Sequence, residues 1–288
     1  MWNSEIMGFD FYFLFYNFFL YCFFGWIYES CLVSFRKKTL VNRGFLNGPI
    51  LPIYGAGATI VYILIYPIQQ NAFLVFICGA VLATILEYVT SYLMEKVFHA
   101  KWWDYTHYKY NIKGRICLLA SLVWGILSIF MTEVLQPVMD SLINQIPRNV
   151  GELAGVPIFV LFSADVTVTV IYALKLDQKF VDLAKTRDEI LEYLESTKLF
   201  GATGEIKGRL EELSIASLSE SFKGQIDAKR SQLPNKDELE QKLKTLLSKY
   251  QKSAELKNIV QKRILRAFPT MKSMRSEKIL EDLRKKRK

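Results

Sequence analysis

Glu29, Glu87 and Asp165 lie inside long apolar stretches of this sequence, and Glu95 closes one of them. A carboxylate at mid-bilayer depth costs several kcal/mol unless it is paired, hydrated or protonated, so each of these needs a partner or a task. Glu95 stands two helical turns beyond Glu87 on nearly the same face, with Ser91 between them. Arg43 and Arg115 precede the second and fourth apolar stretches, and Trp102-Trp103-Asp104-Tyr105 lies in the loop before Arg115. Brought to one depth, Glu29, Arg43, Glu87, Glu95, Trp102, Trp103, Asp104 and Arg115 would line a polar substrate or translocation cavity opening to the cytoplasm. The same residues also read as ion pairs tying helices together, with Trp and Tyr as interfacial anchors. If Arg43, Glu87 and Arg115 share that cavity, neutralising Glu87 is expected to be partly offset by neutralising Arg43 or Arg115. Asp165 has Thr167 and Thr169 beyond it. It reads as a proton or cation site, or as a protonated carboxyl hydrogen-bonded to a neighbouring helix.

Other chemistries lack their residues. The sequence has no G-x-x-x-x-G-K-[ST] loop for ATP phosphates, and no GxSxG, HExxH or kinase motif set. Gly55-Ala56-Gly57 lacks the third glycine and the preceding strand of a dinucleotide fingerprint. Four cysteines, Cys22, Cys31, Cys78 and Cys117, lie in apolar runs, and His99 and His107 are the two histidines. A disulfide scaffold or a zinc site does not follow from that set. No catalytic residues, metal or cofactor are therefore expected, and any energy coupling must come from a partner or an ion gradient.

The elements that must position these groups are membrane helices. Of 288 residues, 51% are apolar, 14% aromatic and 23% charged, and the mean hydropathy of +0.15 is high for a water-soluble domain. Five stretches suffice for the about 20 helical residues that cross a bilayer, at roughly 9–33, 49–68, 72–94, 116–135 and 156–174. The first lacks a basic flank and a small-residue cleavage site, so it is expected to be a retained span. Pro49, Pro52, Gly55 and Gly57 interrupt the start of the second. That start suits close helix or ligand approach, and a broken helix start favours anions. Ser121 and Gly125 form a small-residue pair suited to a helix contact.

Loop charges predict the orientation. Arg36, Lys37, Lys38 and Arg43 follow the first stretch, and Lys96, Lys101, Lys109, Lys113 and Arg115 follow the third. The segment 69–71 has no basic residue, and Arg148 is alone in the fourth loop. This alternation places the N-terminus outside and the C-terminus in the cytoplasm of a plasma-membrane protein. Residues 1–174 hold ten basic and ten acidic residues, so the whole net charge of +9 falls on 175–288. The expected domains are a transmembrane region over 1–176 and a basic helical cytoplasmic tail over 177–288.

In the tail, Leu239, Leu243, Leu246, Tyr250, Val260 and Ile264 form a stripe fit for a partner helix, coiled-coil fashion. Breaks are expected near Gly201, Gly204 and Gly208 and at Pro234-Asn235, and Pro269 should stop the long helix. The run Arg284–Lys288 is a solvated end or an anchor for anionic inner-leaflet lipids, worth about 1 kcal/mol per basic residue near the surface. No nucleic-acid partner is expected, because no aromatic platform or folded module accompanies the charge.

Three blocks carry a family resemblance: Asn42-Arg43-Gly44-Phe45-Leu46 with Gly48-Pro49 and Pro52-Ile53-Tyr54-Gly55; Leu86-Glu87-Tyr88 with Thr90-Ser91 and Glu95; and Trp102-Trp103-Asp104-Tyr105 with Gly114-Arg115-Ile116-Cys117-Leu118, Ser121 and Trp124-Gly125. Over roughly residues 11–175 the sequence resembles the bacterial membrane proteins of the Putative ABC-transporter type IV family. A weaker likeness covers Arg263-x-Leu265-Arg266-Ala267-Phe268-Pro269. The resemblance implies an all-α integral membrane protein of about five transmembrane helices, acting as a permease-like subunit beside a separate ATPase chain, with homo-oligomers open to it. Two other readings stand. One is a membrane enzyme acting on a lipid headgroup or polyprenyl phosphate, its arginines gripping phosphate and a Glu serving as base. The other is a non-transporting scaffold whose tail recruits a partner.

Overall fold

The computed structural model describes residues 2–196, 220, 224, 236–256, 258–268 and 270–274. The expected breaks at Gly201, Gly204, Gly208 and Pro234-Asn235, the stop at Pro269 and the basic run Arg284–Lys288 all lie outside the described residues.

A two-residue hairpin of β1 (Glu5–Ile6) and β2 (Phe9–Asp10) leads into α1, Phe11–Lys37. Asp10 caps α1 by accepting from the Tyr12 backbone N–H at 3.2 Å, and its carboxylate also pairs with Arg148. That bond holds the Asp10 carboxyl below its usual range. At the other end Lys38 takes the left-handed conformation, φ 52°, and stops the helix. Next come α2 (Pro52–Ile65) with a tight turn at Tyr66–Ile68, then α3 (Ala72–Phe98), and a second hairpin of β3 (Asn111–Ile112) and β4 (Ile116–Cys117). After it run α4 (Leu118–Phe130), α5 (Gln136–Asn144) and α6 (Arg148–Ser196).

Among the described residues four segments are long and apolar enough to cross a membrane: Phe11–Arg36, Ala72–Phe98, Leu118–Asn144 and Arg148–Leu194. The second expected span is shorter. Its helix starts only at Pro52, where proline is tolerated because a first-turn N–H has no helical partner. Pro52–Ile68 rises about 27 Å at helical pitch, a little under the roughly 30 Å hydrocarbon core. The protein is thus an all-α polytopic membrane protein, with four long apolar helical segments and one shorter apolar helix among the described residues. Between α4 and α5 the chain makes a π turn at Met131–Leu135. Pro137 has no N–H to give to Glu133 four residues back, which loosens that turn.

Small residues set the helix contacts. A Cβ on Gly55 would lie 2.4 Å from Cys22 Sγ and 2.5 Å from the Phe18 carbonyl, and one on Gly25 would lie 2.4 Å from the Tyr54 ring. Those two glycines let α1 and α2 touch backbone to side chain, and the Leu51 N–H bonds the Cys22 carbonyl at 2.9 Å. Gly79 and Gly125 do the same between α3 and α4, where Gly125 faces Phe76 and Ser128 faces Gly79. Thr84 also donates to Ser121 at 2.8 Å. The Ser121–Gly125 pair is a helix contact, as its spacing suggests.

By internal packing the chain divides inside α6. One unit holds the described residues of Met1–Val97, Lys101–Ala173 and Arg263–Met271; the other holds those of Phe98–Ala100, Leu174–Lys262 and Lys272–Lys288. Helix α6 runs for 49 residues with Pro157 inside it, and nothing between Ile158 and Ser196 is Gly or Pro to break its later part. In the second unit its later part buries Leu176, Phe180, Leu183, Ile190 and Leu194. Helix α7, Lys236–Ala254, buries Leu243 and Tyr250, and Tyr193 of α6 donates to the Leu239 carbonyl at 3.3 Å. The single long tail helix expected up to Pro269 is instead two, because Asn258 caps a new helix α8, Ile259–Ala267, by accepting from the Val260 N–H at 2.8 Å.

Candidate functional site

The loop after α1 folds back on that helix. Ser30 and Ser34 accept from the Arg43 and Val41 backbone N–H groups at 3.1 and 3.0 Å, and Trp26 donates to Asn42 Oδ1 at 2.7 Å. This places Arg43 beside Glu29, with Nε 3.6 Å from Oε2. Glu29 Oε1 accepts from the Tyr54 hydroxyl at 2.9 Å. The Tyr54 ring meets Trp124 at a centroid distance of 5.9 Å. Trp124 Nε1 in turn donates to Glu87 Oε2 at 3.0 Å, and the Tyr105 hydroxyl donates to Glu87 Oε1 at 2.9 Å. One chain of polar and aromatic side chains, Arg43–Glu29–Tyr54–Trp124–Glu87–Tyr105, joined by hydrogen bonds and an ion pair on either side of the Tyr54–Trp124 ring contact, therefore links the loop after α1, the later part of α1, the start of α2, the middle of α4, the second half of α3 and the loop before β3. Glu87 is 6% exposed. Burial and the adjacent Glu87 push the Tyr105 hydroxyl well up, so it stays a donor, and burial pulls the Arg43 guanidinium down.

A second group forms around Arg115. Arg115 gives Nε and Nη2 to Glu95 Oε2 at 3.1 and 2.6 Å, and Nη1 to the Tyr88 hydroxyl at 3.1 Å. Its guanidinium also lies 5.3 and 5.2 Å from the Tyr88 and Tyr92 ring centroids. The Glu95 bonds hold the Arg115 guanidinium fully protonated, raising it above its ordinary value. Trp103 Nε1 donates to the Arg115 carbonyl at 3.0 Å.

The arginines thus pair with Glu29 and Glu95, not with Glu87. Both arginine pairs join loop to helix at nearly the same end of the bundle, but α3 turns Glu87 toward Trp124 and Tyr105. The expected compensation of Glu87 by Arg43 or Arg115 gives way to compensation by those two neutral donors.

Asp104 Oδ1 accepts from the Thr106 backbone N–H at 3.0 Å in a side-chain turn. Gly114, at φ +70°, closes this turn, and a Cβ there would lie 2.7 Å from Asp104 Oδ1. Trp102 is buried against Phe45 at 5.2 Å and Phe268 at 4.7 Å.

Asp165 binds a loop and not a neighbouring helix. Oδ1 accepts from the Asn47 backbone N–H at 3.0 Å and from Asn47 Nδ2 at 2.8 Å, and Oδ2 accepts from the Gly48 N–H at 2.7 Å. Thr169 adds its hydroxyl at 3.1 Å. All four partners are donors, which suits an ionised carboxylate. Among the described residues no cluster of three or more His, Cys, Asp or Glu side chains could hold a metal.

Tyr54, Tyr105 and Trp124 belong to this arrangement although residue type alone marks them only as membrane aromatics. Their signal is the carboxylates: a buried Glu needs hydrogen-bond donors, and tyrosine hydroxyls and tryptophan indoles are among the groups that can supply them.

A family model described as Putative ABC-transporter type IV matches residues 16–170. The chain belongs to this family. The matched region of this ABC-transporter type IV protein runs from Tyr16 in α1 to Val170 in α6, so it contains both polar groups and Asp165, and ends before Arg263–Phe268. The chain matches no curated protein and no solved structure.

Proposed function

We propose that this family member is the permease-like membrane subunit of a transport system, and that the chain Arg43–Glu29–Tyr54–Trp124–Glu87–Tyr105 lines a solute path open to the cytoplasm. The observation that carries the reading is Glu87. Its carboxylate is buried in an apolar bundle on two neutral donors. Holding a carboxylate at this depth is costly, and such groups mark ion and solute routes in membrane proteins. Glu95, Arg115 and Trp103 would brace the rim, and Asp165 would position the loop that delivers Arg43. With no phosphate-binding loop in the sequence, ATP would be hydrolysed by a separate chain.

The full-length protein, isolated from its native membranes in mild detergent, should bring with it a P-loop ATPase. In vesicles that pair should move solute only with ATP, and Glu87→Ala should lower the rate at least tenfold while the two chains stay together. Isolation of a complex without any ATPase, with headgroup turnover by the chain alone, would replace this reading with the lipid enzyme.

The basic loops support a plasma-membrane orientation with the N-terminus outside and the tail in the cytoplasm, where anionic lipids and further copies of the chain are its natural neighbours. Cysteines introduced at Ser4 and Asn144 should react with an impermeant reagent on intact cells. One at Ser248, in α7, should react only after permeabilisation, and the reverse pattern would invert the protein.

A further inference from the structure

Arg263–Phe268 lies far along the chain from the membrane helices, yet it belongs to the same compact unit. Arg263 spends its whole guanidinium on the loop after α1. Nε donates to Asn47 Oδ1 at 3.1 Å, Nη1 to the Gly44 carbonyl at 2.7 Å, and Nη2 to the Phe45 carbonyl. Asn47 is the residue whose other groups bond Asp165. The same segment also reaches the polar chain: the Ala267 carbonyl accepts from Arg43 Nη1, and the Phe268 ring lies 4.5 Å from the Arg43 guanidinium. Phe268 is seated on Trp102. Ile264, Leu265 and Ala267 are all buried.

We propose that Arg263–Phe268 is an intramolecular strap that closes the site by holding Arg43 toward Glu29, and that release of the strap opens it. Two features support a latch over a passive contact. Arg263 bonds two backbone carbonyls and the Asn47 side-chain oxygen, which only the folded loop brings together, so docking depends on the loop's shape. Arg43 divides its guanidinium between a side chain of the bundle, Glu29, and a carbonyl of the strap, so a change at either is felt at the other. The consequence for transport rests on the proposed function above; the strap itself does not.

The test reads the strap without needing a substrate. In the full-length protein in detergent, Ala267→Cys and, separately, Met271→Cys serve as reporters, each labelled with a small maleimide and followed by mass spectrometry at that site. Rates are referred to the same protein unfolded in dodecyl sulfate, and buried native Cys22 reports that the fold is intact. With the strap docked, each reporter should react at least tenfold more slowly than when unfolded. Arg263→Met, and Phe268→Leu as a milder change, should raise the reporter rate about tenfold while Cys22 stays protected, since labelling follows the population of the locally open state. Glu29→Gln should shift it by threefold or more through Arg43. Fast labelling of both reporters in the otherwise unchanged protein, or no response to Arg263→Met, would remove the strap. A response to Arg263→Met with none to Glu29→Gln would leave a structural clasp uncoupled from the site and overturn the proposal.

Discussion

Replacing Glu87 by alanine is expected to cost far more stability than replacing it by glutamine. Glu87 accepts one hydrogen bond on each oxygen, from Tyr105 and from Trp124. Alanine strands both donors in a buried site, at about 1–3 kcal/mol each. Glutamine keeps an oxygen for the Trp124 indole, and its amide can donate to the Tyr105 oxygen once that hydroxyl turns away. One hydroxyl then needs a new acceptor, and the loss should be about 1 kcal/mol. Removing the stranded donors is the control. In a Glu87→Leu background, Trp124→Phe and Tyr105→Phe should each recover part of the loss, whereas Arg43→Met and Arg115→Met should simply add to it. Thermal unfolding in a single detergent measures all of these. Equal losses for Glu87→Ala and Glu87→Gln, or additivity with Trp124→Phe, would mean that the two donors do not hold this carboxylate.

The Glu95–Arg115 pair should show the opposite pattern, strong losses in single variants and recovery in the double one. The side chains are 6% and 14% exposed. Breaking such a pair from one side leaves an uncompensated charge, at about 3–5 kcal/mol, while replacing both partners by apolar groups of similar size can be close to neutral. Arg115→Met and Glu95→Leu should each fall in that range, and the double variant should lose less than either. Arg115→Lys should fail to restore the wild-type value, because an ammonium cannot give Nε and Nη2 to Glu95 while also reaching Tyr88, and it loses the planar stacking on Tyr88 and Tyr92. A double variant as unstable as the sum of the singles would show that the two charges do not compensate each other.

The apolar stretches were sufficient to dictate membrane helices and their approximate places, because a backbone in hydrocarbon must satisfy its own hydrogen bonds and a helix does so locally. The weak start of the second helix was legible in Pro49 and Pro52, and the unbroken run of α6 in the lack of Gly or Pro after Pro157. That four carboxylates lie in or at the end of apolar helices also follows from sequence, as does their need for partners. Which partners they take does not. Glu87 and Glu95 share a face of α3, yet one meets neutral aromatic donors and the other an arginine, and that choice depends on how α4 and the β3–β4 hairpin are set against α3. Asp165 looks like a lone mid-membrane acid until the loop at Asn47 and Gly48 is folded onto it. Arg263 looks like one more charge in a basic tail, since its partners lie 216 to 219 residues earlier. Contacts at such separation leave no periodicity in the chain. They are set by the packing of helices whose own sequences specify only that some face must be covered, and so only the tertiary structure decides them.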